Sequence, residues 1–509
     1  MRAAAAGGEE VRARVSTALR PALIAAILED EAGLEDRPAL IVTADDRSAR
    51  ELSSSLRAYL GDRKVRSYPS RGTGYASQIS PPPHLIGLRI DALDSFGRKE
   101  ATPPVVVASA VALAEAVPGE SLRPAGFRIA VGEEHDPTRV VSDLAAAGYE
   151  RVDQVTGRGQ FAVRGGILDV FAATEDRAAR VEFFGDEIES MRWFSTFTQR
   201  SLGEAEALDL APAAELDAEH RELAELVVAE ALEKGTQPEL AEVLPVGEFR
   251  APLDLIPETT VVILAGEEEI EPALRDHWED ATTSMHADDA RHLYEDVAGP
   301  LSERAALVIS RPVDGDGIHE PEDDGYASES SGATSRMDAD GQAADLPDQT
   351  NSRSSSDEPF RATFAETPSR NLAEAEAELK KLVASGYRTV VAFDSRGEAE
   401  RTRYGFERTD AKILDAGRMP EAAGVSLVEA RITEGFVCPQ LKVAVIPFRR
   451  LVNRRRRADE SAPEGVRGRL VFSELRVGDH VVHEDHGVAR FAGFETREVG
   501  GITRDYLYL

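Results

Sequence analysis

Residues 39–60 read ALIVTADDRSARELSSSLRAYL. Ala39 to Thr43 is an almost unbroken apolar run, the pattern of a strand buried on both faces, where alternation with polar residues is not needed. Behind it Leu52, Leu56 and Leu60 recur at four-residue steps among Arg, Ser and Glu, which sets them on one stripe of an amphipathic helix. The same rhythm continues outward. KVRSY (64–68) repeats the strand signal, HLIGLRIDALDSF (84–96) places Ile86, Ile90 and Leu93 on one helical face, and PPVVVASAVALAEAV (103–117) supplies another strand and helix. Upstream, PALIAAILEDE (21–31) predicts a short helix. Strands alternating with helices over residues 1–124 predict a parallel sheet covered on both faces.

The period changes after DPTRVVSDLAAAGYE (136–150), where Asp136 is placed to cap a helix and Pro137 to open it. RVDQV, QFAVRGGILDVF, RAARVEFF and DEIESMRWF are extended runs separated by Gly-rich or charged turns. Residues 125–211 are therefore expected to form a separate β-rich domain. Helical patterning returns in HRELAELVVAEALEKG (220–235), and TTVVILAG (259–266) has the composition of a buried strand. That strand is a candidate further piece of the first sheet, which makes 125–211 an insertion between 1–124 and 212–313.

Residues 314–358 hold 13 acidic and two basic side chains, 11 of the 33 net negative charges, and almost no large apolar group. Such a stretch cannot offset its ordering entropy and is expected to be a disordered acidic linker. A second, small α/β domain is expected over 359–452, from NLAEAEAELKKLVASGY, RTVVAFD, GEAERTRYGF, VSLVEA and LKVAVIPF. A basic linker over 453–470 carries Arg454, Arg455, Arg456 and Arg457. In 471–509, the run LRVGDHVVHEDHGVARFAGFETREVGGITRDYLYL alternates apolar and polar residues with Gly turns. It reads as the opening strands of a small β-barrel, incomplete at Leu509. The fold class expected is thus multidomain α/β.

Length and charge set outer bounds. At ~100 to 200 residues per domain, 509 residues predict three to five domains. A formal charge of -33 disfavours nonspecific duplex binding by the chain as a whole. The lone Cys438 cannot form an intrachain disulfide and the start lacks a signal-peptide pattern, so a cytoplasmic location is expected. No apolar run approaches the ~18 residues of a membrane span, so no membrane partner is expected.

Catalytic motifs are missing. No Gly-Lys pair followed by Ser or Thr is present to cradle nucleotide phosphates, and G-x-S-x-G and C-x-x-C are absent. Gly157 and Gly159 do not continue into a dinucleotide fingerprint and are read as turn residues. His480, His483 and His486 beside Glu484 and Asp485 are ligand types for zinc. Odd spacing sends His480 and His483 to opposite strand faces, however, and Glu484 to Gly487 reads as a hairpin turn, so no metal site is expected. Cys438 has no nearby His to activate it and is read as packing.

What remains points to recognition. Along RVEFF (180–184), period-two geometry puts Val181 and Phe183 on one face and Arg180, Glu182 and Phe184 on the other. An exposed aromatic beside arginine has the character of an interface hot spot; the competing reading buries Phe184 in a second core. Arg164 opposes Phe161 and Val163, which turn inward. Arg454 to Arg457 are a phosphate contact or simply a solvated linker. Arg490, Arg497 and Arg504 are spread among the terminal strands, available to an acidic partner.

AGYERVDQVTGRGQFAVRGGILDVF (147–171) with RVEFFGDEIESMRWFSTFTQRSL (180–202) resembles the UvrB-interaction-type domain of the Mfd family, the bacterial transcription-repair coupling factors. The run at 475–509 is similar to that family's RNA-polymerase-interacting domain, which is related to CarD, and EGFVCPQLKVAVIP (434–447) resembles the end of its third domain. The resemblance implies a UvrB-like, degenerate P-loop-NTPase-like domain in two chain segments with a UvrA-binding domain inserted. It assigns Arg164, Arg180 and Phe184 to UvrA contact. YPSRGTGYASQISPPPHL (68–85) is too short and aromatic-poor for the DNA-inserting hairpin of UvrB.

By the same resemblance, the terminal barrel grips stalled RNA polymerase through its beta subunit, and the UvrB-like module recruits UvrA to begin nucleotide excision repair. An ATP-driven translocase that follows in the family acts on double-stranded DNA. That translocase is the expected place for ATP and Mg; no cofactor is expected in this chain, which is read as a monomer. Its ending inside the polymerase-binding domain is read as a fragment or a truncated gene model, with the UvrA surface constitutively exposed. The alternatives are a stand-alone UvrB-like repair helicase and a CarD-like transcription regulator.

Overall fold

The computed structural model describes residues 11–312 and 359–452, apart from short gaps, and strands between 480 and 508. Its first sheet has six strands, in spatial order Val11–Arg14, Ala305–Ser310, Val261–Ala265, Ala39–Thr43, Val105–Ser109 and Val65–Tyr68. Every neighbouring pair is parallel. Two chain segments therefore share one sheet, with the strand from TTVVILAG lying directly beside Ala39–Thr43. Val11–Arg14, with two arginines in four residues, has no apolar run to announce it.

Alternate residues of Ala39–Thr43 enter different cores. Ala39 and Ile41 pack with Leu28, Leu52 and Leu56 on one side, whereas Leu40 and Val42 pack with Leu93, Leu113 and Ile270 on the other. Apolar side chains are needed on both faces, which is why the run does not alternate. Helix Asp46–Tyr59 starts where Asp45 accepts the Ser48 N–H at 2.8 Å and buries Leu52 and Leu56, as their spacing requires. The helix expected from AVALAEAV is only Ala110–Ala114, because the chain turns at buried Glu115.

Between the two segments lies the β-rich insertion. Its six-stranded sheet runs Ser201–Glu204, Glu187–Phe194, Ala178–Phe184, Ile167–Phe171, Gln160–Arg164 and Glu150–Arg151. Only the last pairing is parallel. Helix Pro137–Ala146, capped by Asp136 on the Thr138 N–H at 2.8 Å, covers the inner face with Val140 and Leu144. The strand expected over RVDQV shrinks to Glu150–Arg151; the residues after it form a loop that drops Val155 onto the other face of the sheet. Strands Phe127–Ala130 and Ala207–Leu210 pair antiparallel at the entrance and exit, and the Asp217 N–H donates to the Leu122 carbonyl at 2.8 Å. Gly159 has φ +77°, and a Cβ there would come within 2.8 Å of Pro83, so this turn needs glycine both for its backbone and for its seat on the first domain.

The small α/β unit has strands Thr363–Phe364, Phe436–Cys438, Val443–Pro447, Arg388–Phe393, Gly424–Glu429 and Ala411–Leu414 in spatial order. The last four are parallel and the first two antiparallel. It is not packed alone. Phe436, Cys438, Val443 and Val445 share one core with Val15, Leu19 and Ile24, and the Phe360 N–H donates to the Arg14 carbonyl at 2.9 Å. Cys438 is fully buried there.

In the terminal region, His480–His483 pairs antiparallel with Gly487–Arg490, and Gly493–Val499 with Ile502–Tyr508. The acidic stretch 314–358, Arg454 to Arg457, and the Glu484, Asp485 and His486 of the histidine group lie outside the described residues. Among the described residues no helix is long and apolar enough to cross a membrane, and no group of three His, Cys, Asp or Glu side chains is placed to hold a metal.

Candidate functional site

The outer face of the inserted sheet gathers the residues singled out by alternation. One register row crosses it through Ala162, Asp169, Arg180, Arg192 and Glu204, and the next through Arg164, Ile167, Glu182 and Ser190. Two loops cover one end of this face. Val155 and Phe194 are buried there with Ala162 and Ala178 in a small second core. The competing reading of Phe184 thus anticipates a core that exists, but Phe184 is not in it.

A bulge between Glu182 and Phe183 shifts the register at the far end of the strand. Phe183 turns toward Ile188 and the main core, while Phe184 projects from the hairpin at 76% exposure. Bulges commonly re-aim a side chain in this way. In the adjoining row of the sheet Ile167 is exposed, and Glu182 accepts from Arg192 and from the Ser190 hydroxyl at 3.0 Å. Arg164 is exposed, with Nη2 donating to the Asp153 carbonyl at 2.6 Å.

Arg180 lies on the same face in a different state. Its Nε and Nη2 donate to the two carboxylate oxygens of Asp169 at 2.6 and 2.7 Å, and Nη2 also reaches Gln199 at 3.1 Å. The guanidinium lies 4.7 Å from the centroid of the Phe194 ring. Hydrogen bonds to Asp169 hold its pKa above the ordinary value. A fork of this kind is a strong charge-assisted pair, so Arg180 faces outward without being a free cation.

A second polar cluster sits at the carboxyl ends of the parallel strands, where open α/β sheets bind ligands. Here carboxylates hold the ground. Asp45 takes the Ser48 N–H, while Asp46 accepts the Ser70 N–H at 3.0 and 3.1 Å and the Ser109 hydroxyl at 2.5 Å. Buried Glu115 accepts from Arg89 Nη1 at 2.8 Å and the Arg71 N–H at 2.7 Å, and Arg71 continues to Glu215 at 2.9 and 3.0 Å. Burial pushes the Glu115 carboxyl up to about 7, against the pull of Arg89. A nearby cleft of about 440 Å³ is lined by Glu267, Glu268, Glu271, Pro272, Arg275 and Ser310. A carboxylate-rich rim is a poor place for phosphate.

In the terminal hairpins Arg490 is exposed and pairs in register with His480, and Arg497 is the register partner of Arg504. Sequence reasoning did not find Asp169, Gln199 and Phe194, which surround Arg180. The alternation in ILDVF gives Asp169 the outer face, but only the strand register shows which residue it meets.

A family model described as the UvrB interaction domain matches residues 127–216, the insertion that bears Phe184. A second, described as the CarD-like/TRCF RID domain, matches residues 475–509. The transcription-repair-coupling factor of Mycobacterium bovis is 29% identical over 513 residues, which is 93% of this chain and 40% of that protein. That of Bacillus subtilis is 24% identical over 532 residues, 98% of this chain and 43% of that protein. The UvrABC system protein B of Thermosynechococcus vestitus is 32% identical over 189 residues, 35% of this chain and 28% of that protein. Spanning about two fifths of the length of the curated relatives it matches, the chain is a homologue of the transcription-repair-coupling factors across 93% of its own length.

Proposed function

We propose that this chain is the recognition part of a transcription-repair coupling factor, working in the cytoplasm. Its inserted domain binds UvrA through Phe184, with Arg164 and Arg180 beside it, and its terminal segment binds RNA polymerase on the beta subunit. The parallel sheet is a degenerate P-loop-NTPase-like scaffold whose anion positions are taken by its own carboxylates, and the terminal hairpins are part of a CarD-like barrel. In this reading the chain contributes recognition, while ATP, Mg and double-stranded DNA belong to the translocase domains of the family.

The observation that carries the proposal is the 76% exposure of Phe184 in a domain matched by the UvrB interaction model. Burying a phenylalanine at an interface contributes about 2 kcal/mol. The test is UvrA association measured by calorimetry without ATP. Binding is expected, weakened on the order of 10- to 100-fold by Phe184→Ala. No association, or equal binding by that variant, overturns the UvrA assignment. Polymerase binding without UvrA binding selects a CarD-like regulator instead.

A further inference from the structure

Phe184 is matched by one other nearly bare aromatic ring among the described residues, and the charges around the second are mostly of one sign. Phe184 lies next to Glu182 and Glu187 in sequence and register, whereas Tyr404, 81% exposed, lies among cations. Tyr404 is on helix Arg396–Gly405 of the small α/β unit. This helix buries Ala399 and Thr402 against its sheet and leaves Arg401, Arg403 and Tyr404 exposed. The Arg403 guanidinium is 5.2 Å from the centroid of the Tyr404 ring. The chain then returns through exposed Arg408 to the edge strand Ala411–Leu414, which bears exposed Lys412.

Carboxylates in the same stretch offset these charges only in part, since residues 401–412 hold Arg401, Arg403, Arg408 and Lys412 against Glu407 and Asp410. Glu400 and Asp415 lie 3.5 and 3.7 Å from Arg396, at the start of the helix. Ser395 caps the helix by accepting the Glu398 N–H at 3.4 Å, and Glu407 and exposed Asp410 complete the acidic residues of the stretch. Residues 359–452 hold 15 basic and 13 acidic side chains, in a chain whose net charge is -33. A helix C-terminus attracts cations through its dipole, which accounts for Arg403. The dipole gives no reason for a tyrosine ring held in water between arginines.

We propose that this edge binds single-stranded nucleic acid, with Tyr404 stacking on an unpaired base while Arg401, Arg403, Arg408 and Lys412 meet the flanking phosphates. Base-aromatic stacking tolerates any sequence because every base has a π-face, and the phosphate contacts make binding salt-dependent. A duplex offers the ring no free base face.

The test is fluorescence anisotropy of the full chain with a labelled oligothymidylate over a salt series. Measurable binding at low salt is expected. Tyr404→Ala weakens it roughly tenfold and Tyr404→Phe does not, as stacking requires. Arg401→Ala with Arg403→Ala lowers the slope of log K against log salt by about 1.4, for two phosphate contacts. Because these side chains are exposed, circular dichroism should show the fold retained. Four results would each overturn the proposal: no binding at low salt, equal binding by Tyr404→Ala, equal affinity for an acidic peptide of the same charge, or loss of binding only when Arg454 to Arg457 are replaced by alanine. The outcome is separate from UvrA association, which Tyr404→Ala should leave unchanged.

Discussion

Arg180 and Phe184 stand four positions apart on one strand and answer to different forces. The fork to Asp169 means that Arg180→Ala strands a carboxylate that is only 8% exposed. Such a loss is expected to cost about 2 kcal/mol, read as a lower urea midpoint. Phe184→Ala removes a ring that already faces water and should change stability by less than about 0.5 kcal/mol, leaving the midpoint nearly unmoved. If both substitutions destabilise equally, the ring is packed rather than presented. Alternation alone assigned both residues to the outer face, since a strand sends successive side chains to opposite sides. The state of Arg180 was illegible because its partner lies on a neighbouring strand, and register is a nonlocal property.

Elements were legible in proportion to their periodic signal. Asp46–Tyr59 has a capping aspartate and a leucine stripe, and Asp45→Ala should cost about 1 kcal/mol of stability in chemical denaturation. An unchanged midpoint would mean that the cap is dispensable. Ala411–Leu414 and Phe436–Cys438 left no comparable trace, being four and three residues long. Too short to show a period, they are held by their neighbours in the sheet. RVDQV misled for the opposite reason: its two valines suit a strand, but Val152 and Val155 are used to pack a loop onto the second core. Tertiary burial overrode local propensity there.

At the scale of the molecule, the interrupted parallel sheet could be foreseen from the return of strand composition at TTVVILAG. The union of its flank with the small α/β unit could not. Residues 15 and 436 are far apart in sequence, and nothing local in either reports the other. Phe436→Ala should cost about 3 to 5 kcal/mol as a buried-ring deletion. Because that core includes both units, hydrogen exchange should quicken in Arg20–Leu28 as well as in Val443–Pro447. Protection lost from the small unit alone would show the two to be energetically separate.

The doorway of the insertion bears on whether the head can be removed. The chain departs near Leu122 and comes home at Asp217, one hydrogen bond away, so both ends of the excursion share a single doorstep on the scaffold, while its Gly159 turn rests separately on Pro83. A bridge of a few residues would close that gap. Excising the head there would leave the strand order of the sheet beneath unbroken and would uncover the Pro83 surface on which the Gly159 turn sits.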